Sequence, residues 1–121
     1  MLTVGVALAA GLGAVLRYVI DQLVQHRTRG DFPYGTVVIN ITGSFLLGLA
    51  TGLALHHGLG TTATVIIGTG FAGGYTTLST WAWETLALTE SGDFLEASAN
   101  IIGSFAAGLA AAAAGLGLAL L

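Results

Sequence analysis

The chain of 121 residues contains no cysteine and no lysine, only one proline, and charge on just 7% of its positions. Without cysteine there is no disulfide framework and no thiolate metal site, and the redox compartment stays open. Three arginines against six carboxylates give a net charge of -3, which is no footprint for nucleic acid. Soluble domains carry about 25% charged residues, so this composition argues against a water-soluble globule. No cleavable leader or lipidation signal is expected from the sequence. What is present is 55% hydrophobic residues, 19 glycines and a mean hydropathy of +0.88. The Ala/Gly-rich, lysine-free usage is also what a GC-rich genome produces.

A membrane-crossing helix needs about 20 mostly apolar residues, and four stretches meet that need. They are expected at about 2–24, 34–56, 62–88 and 94–121, which makes residues 1–121 a single all-α transmembrane domain. Polar turns separate them: 26–33, with Pro33 near a helix start, then 57–61 and 89–93. Turns this short imply antiparallel neighbours.

The third stretch is unusual. Gly73-Gly74-Tyr75-Thr76-Thr77-Leu78-Ser79-Thr80-Trp81 is too rich in glycine and hydroxyls for a plain apolar helix, and too embedded for a surface loop. In lipid, irregular backbone survives only where protein or a watery cavity surrounds it. The expectation is a discontinuous helix broken near Gly73-Gly74. Carbonyls freed by the break can hold a small cation, and its hydroxyls can donate to an anion.

Asn40-Ile41-Thr42-Gly43-Ser44-Phe45-Leu46-Leu47-Gly48-Leu49-Ala50 recurs as Asn100-Ile101-Ile102-Gly103-Ser104-Phe105-Ala106-Ala107-Gly108-Leu109-Ala110. The offset spans two helices, so the second and fourth helices point the same way, like parallel repeats in transporter folds. Asn40 and Ser44 share one helix face, as do Asn100 and Ser104, and Thr36 extends the first stripe. A single such group is ordinary helix glue. Two matching stripes beside a hydroxyl cluster read as a pathway rich in neutral donors and poor in fixed charge. That lining suits a small, strongly hydrated anion, because donors replace its water without trapping it.

The small-residue pairs Gly48/Gly52 and Gly70/Gly74 read as close-packing positions. Arg17 reads as a snorkelling interfacial residue or an anion attractant at a pore mouth, roles that are compatible. Glu84 reads as a solvated or paired carboxylate at a membrane edge. Gly68-Thr69-Gly70-Phe71-Ala72-Gly73 matches a dinucleotide-binding pattern but lacks the strand and βαβ unit that pattern needs. His56 and His57 diverge on a helix and read as interfacial rather than as metal ligands. No nucleophile–base constellation stands out, and the chain is not read as an enzyme.

Gly11-Leu12-Gly13-Ala14-Val15-Leu16-Arg17-Tyr18, Gly35-Thr36, Asn40, Gly43-Ser44-Phe45 and Gly70–Thr80 together resemble the CrcB/Fluc fluoride channel family over nearly the whole chain. The resemblance implies a four-helix subunit in an antiparallel, dual-topology dimer with two fluoride pathways. It also implies a central structural sodium, Na+, whose ligands at matching positions are the carbonyls of Gly73 and Thr76. The resemblance puts Asn40, Ser104 and Asn100 on the fluoride pathway; the polar stripes and the third-helix motif add Ser44, Thr77, Leu78, Ser79, Thr80 and Trp81, with Arg17 at the pore mouth. The family usually carries Phe at both aromatic positions of this third-helix motif, where this chain has Leu78 and Trp81. Aromatic edges carry positive potential; Leu78 lacks one, while Trp81 keeps an edge and adds an indole donor.

The expected function is passive fluoride export across a bacterial plasma membrane. A small proton-coupled multidrug transporter of four helices is the alternative, against which Asp21 lies near the end of the first helix rather than deep within it. A non-conducting membrane packing protein is the third reading. Arg27 and Arg29 in the first connection tilt that connection weakly toward the cytoplasm. The partners expected are fluoride, the lipid bilayer, and a second chain as an antiparallel homodimer or a heterodimer with a homologous subunit.

Overall fold

The computed structural model describes all residues, Met1–Leu121, and every regular element in it is helical. α1 spans Leu2–Arg27, α2 Tyr34–His56, and α3 Thr61–Val65. A π-helical stretch, Ile66–Ala72, continues α3 into the short α4, Gly73–Tyr75; α5 is Ser79–Glu90 and α6 is Phe94–Leu118. α1, α2 and α6 are each long and apolar enough to cross a membrane. The elements from α3 to α5 form one discontinuous segment beside them.

Each connection reverses at a glycine with positive φ: Gly30 at 87°, Gly58 at 72° and Gly92 at 82°. Only glycine enters that region without a Cβ penalty, which is why such short turns suffice. α1 runs to Arg27, past the expected end at 24, and α6 stops at Leu118 rather than 121.

The packing is that of lipid rather than water. Buried apolar residues are mostly small, such as Ala50, Ala72, Ala97 and Ala119, whereas Leu8, Leu12, Val15, Ile102, Phe105 and Leu109 face outward. Lipid tails are as apolar as leucine, so helices gain by close backbone approach at small residues and leave their large side chains outside. α2 meets α6 in this way. A Cβ at Gly48 would strike the Ala112 backbone, and one at Gly115 would strike the carbonyl of Phe45. α1 meets the third segment likewise, Gly13 against the backbone of Phe71 and Tyr75, and Gly74 against Ala10.

The helix break lies later than expected. Gly73 and Gly74 remain helical, and the chain leaves the helix at Thr76, with φ -80° and ψ 161°. Gly74 serves contact with α1 rather than rupture. The residues flanking the π-helical stretch, Val65 and Gly73, keep ordinary right-handed helical dihedrals.

Candidate functional site

The break is held open by one side chain. In an unbroken helix the N–H of Thr77 would donate to the carbonyl of Gly73. Instead it donates to Asn40 Oδ1 at 2.9 Å, and Asn40 Nδ2 donates to the Thr77 carbonyl at 2.8 Å. α2 thereby offers the broken backbone a substitute peptide partner. Such exchange is what permits irregular backbone at membrane depth.

Two half-helix ends face this gap. α4 ends with carbonyls stripped of their helical donors, and α5 begins with N–H groups stripped of acceptors. Thr77 Oγ1 accepts from the N–H of Thr80 at 3.2 Å, as a capping hydroxyl does. No protein group accepts from the N–H of Ser79 or of Trp81. The α5 end is therefore an electropositive cluster of free donors. On the carbonyl side, Arg17 Nη1 donates to the Thr76 carbonyl at 3.3 Å. Arg17 thus acts from α1 on the broken helix itself, a role the sequence pattern did not disclose. Its cation complements the negative end of a helix.

An open groove of about 450 Å³ runs past the break. Asn40, Ser44, Thr77, Leu78, Trp81 and Ser104 line it, and so do Gly73 and Thr76. The repeat stripes from α2 and α6 thus converge with the hydroxyl cluster of the third segment. Leu78 is 76% exposed and Phe105 is 70% exposed along this face. A smaller cavity of about 160 Å³ holds Arg17, Asp21, Thr36 and Thr80. Thr77 lines both cavities.

Some residues stand elsewhere than the pattern suggests. Asn100 is 0% exposed and stands behind the groove rather than on it. Its Nδ2 donates to Thr85 Oγ1 at 2.8 Å, and its Oδ1 accepts from Ser104 Oγ at 3.1 Å. The Trp81 indole N–H, the donor that the sequence adds at this position, is committed to the Asn100 backbone carbonyl at 3.2 Å. Ser79 is exposed but lines neither cavity. Its hydroxyl lies 3.5 Å from that of Thr77.

Glu84 accepts from Thr36 Oγ1 at 2.6 Å, so it is a paired carboxylate. His57 Nε2 contacts the Ala119 carbonyl and ties the end of α2 to the end of α6. Sequence reasoning missed Thr85 and the apolar wall formed by Leu47, Phe105 and Leu109. For Thr85 a signal existed, since it lies one turn beyond Trp81 on the same face.

Residues 4–116 match the family described as CrcB-like protein, Camphor Resistance (CrcB). The chain is 48% identical over 112 residues to "Fluoride-specific ion channel FluC 2" of Mycobacterium bovis, covering 93% of this chain and 86% of that one. "Fluoride-specific ion channel FluC 1" of Leifsonia xyli subsp. xyli is 48% identical over 118 residues, covering 98% and 85%. "Fluoride-specific ion channel FluC" of Roseiflexus sp. is 38% identical over 117 residues, covering 96% and 94%.

Proposed function

The chain belongs to the CrcB-like family, and from that premise we propose that it is a fluoride-specific channel working as an antiparallel pair of chains around a central sodium ion. It is a multi-pass membrane protein that conducts fluoride passively. Fluoride enters acidic surroundings as neutral HF, dissociates in the cytoplasm and is trapped as the anion. A selective channel releases it down its gradient. The names of the relatives give no support to a drug transporter.

One observation carries the pathway: unpartnered N–H groups at the start of α5 lie beside a groove lined by the hydroxyls of Ser44, Thr77 and Ser104. Fluoride is compact and strongly hydrated, so leaving water requires dense neutral donors in its place. A fixed cation on the path would hold the ion too tightly to release it. Arg17 fits this need at the mouth, where its charge draws anions while its guanidinium is tied to Thr76. Thr77 is the natural joint between the mouth cavity and the groove, because it belongs to both.

The sodium reading passes a chemical test. A hard cation takes oxygen ligands, and the break frees the Gly73 carbonyl by diverting the Thr77 N–H to Asn40. The Thr76 carbonyl keeps a lone pair beyond its bond from Arg17. Gly73 and Thr76 both border the open groove, so a second chain laid antiparallel against it brings its own pair of carbonyls to the same ion. Bound there, sodium would neutralise the carbonyl ends of both broken helices. The groove's open side and its exposed Leu78 and Phe105 support a partner chain on this face. That partner also supplies the aromatic edge that Leu78 lacks.

Efflux from liposomes containing the purified protein, read with fluoride and chloride electrodes, tests the channel. Fluoride should leave electrogenically and chloride should stay. Fluoride loss no faster than from protein-free vesicles, with folded protein present, removes the assignment. Single cysteines at Thr28 and Ser91 test the antiparallel pair, since the native chain has none. An impermeant thiol reagent should label each site in part of the population.

A further inference from the structure

Trp81 and Asn100 are joined twice. The indole N–H of Trp81 donates to the Asn100 carbonyl at 3.2 Å. Asn100 Nδ2 donates to Thr85 Oγ1 at 2.8 Å, and Thr85 Oγ1 donates to the Trp81 carbonyl at 2.8 Å. The two links close a ring between α5 and α6 around a fully buried amide. A flip of this amide would cost the Thr85–Trp81 hydrogen bond, because Thr85 would have to turn its proton from the Trp81 carbonyl to Oδ1. Asn100 Oδ1 is therefore aimed in one direction, at Ser104 Oγ, which donates to it at 3.1 Å.

Ser104 borders the groove, but its one proton points away from it, toward Asn100. A hydroxyl has one proton and two lone pairs. In this arrangement Ser104 presents oxygen lone pairs to the groove, which repel an anion. Ser44, on the facing repeat, has no side-chain partner, and its Oγ would lie 3.6 Å from a Cβ placed at Gly108. The groove thus pairs a free hydroxyl from α2 with a held one from α6.

We propose that Trp81 is a positioning residue: through the Asn100–Thr85 ring it fixes Asn100 so that Oδ1 holds the Ser104 proton until an anion in the groove takes it. Ser104 then donates to a passing fluoride by a hydroxyl rotation and returns to Asn100 when the ion leaves. Discrimination follows from size and basicity. Fluoride, compact and a strong acceptor, competes with an amide oxygen for the proton. Chloride, larger and a weaker acceptor, does not. Trp81 serves selectivity here through its N–H, not through its ring edge alone. The proposal rests on the fluoride-channel reading above.

Wild type, Trp81→Phe, Ser104→Ala and the double variant are compared in liposomes at matched amounts of folded protein. Wild-type fluoride efflux tests the channel reading by itself. If Trp81 acts through Ser104, Trp81→Phe raises the chloride-to-fluoride efflux ratio by about tenfold, Ser104→Ala slows fluoride efflux by about tenfold, and adding Trp81→Phe to Ser104→Ala changes neither rate further. A Trp81→Phe channel with wild-type fluoride and chloride rates, or one whose effect persists on top of Ser104→Ala, overturns the proposal.

A second readout does not depend on flux. With Trp83 replaced by Phe, the ¹⁵N-labelled indole of Trp81 reports alone. Adding sodium fluoride should shift its N–H resonance, sodium chloride should not, and Ser104→Ala should abolish the shift. No fluoride shift, or a shift that survives in Ser104→Ala, means that Trp81 merely braces α5 on α6.

Discussion

Asn40 and Asn100 stand at the same position of one sequence repeat, on helices that run parallel, and both brace the third segment. They brace it at different places. Asn40 pairs with the peptide of Thr77 inside the break. Asn100 grips α5 through Thr85 and, by its carbonyl, through Trp81. The glycines that follow diverge as well. A Cβ at Gly43 would run into the Thr76 methyl, whereas Gly103 has open space around it. One repeat thus faces the discontinuity and the other faces regular helix. A repeated sequence creates the same local stripe twice, and the neighbour determines whether an amide replaces a missing peptide bond partner or reinforces an existing helix.

The sharpest way to break this comparison is at the amides. Asn40→Asp keeps the acceptor for the Thr77 N–H but turns the donor into a second oxygen facing a carbonyl, and it adds negative charge beside an anion path. Fluoride efflux should fall by tenfold or more, on the order of 1.4 kcal/mol or greater in barrier. Asn40→Ser keeps a donor without the charge and should lose less. Equal efflux from the two, at matched insertion, would remove Asn40 from the path.

Gly43→Ala should follow, since its methyl must displace Thr76 at the break. Overpacking of this kind costs about 1–3 kcal/mol, and thermal denaturation in detergent measures it. Asn100→Ala should cost about 1–3 kcal/mol as well, by leaving Thr85 and Ser104 without their amide partner. Its loss should appear in melting temperature, because Asn100 is fully buried, and in a raised chloride-to-fluoride efflux ratio, because the Ser104 proton loses its amide acceptor. Gly103→Ala is the smallest, within about 0.5 kcal/mol of wild type. A large loss at Gly103 would place it against the partner chain and make the two repeats equivalent after all.

Much of the molecule is legible from the residues alone. Long apolar runs divided by glycine turns dictate membrane helices, because an unpaired peptide in lipid costs too much for any other open structure. The break was legible too, since Gly73-Gly74 and four nearby hydroxyls do not belong in a plain apolar helix. Its position was not: glycine signals both flexibility and close contact, and only the packing of Gly74 on Ala10 shows which applies. The side-chain stripe of Asn40, Ser44, Asn100 and Ser104 was visible as a period, but a period cannot tell a lining residue from one standing behind it.

What the sequence determined by itself is therefore the solvent, the helices and the family. Those depend on composition, spacing and residue identity along the chain. The tertiary structure alone decided that Thr76 rather than Gly73 leaves the helix, that Arg17 holds the Thr76 carbonyl, and that the Trp81 indole proton is already spent on Asn100. The last two are hydrogen bonds between groups far apart in the chain, and the first is held by one, from the Thr77 N–H to Asn40. A donor's identity can be read from its residue type, but its acceptor exists only once two helices have come together.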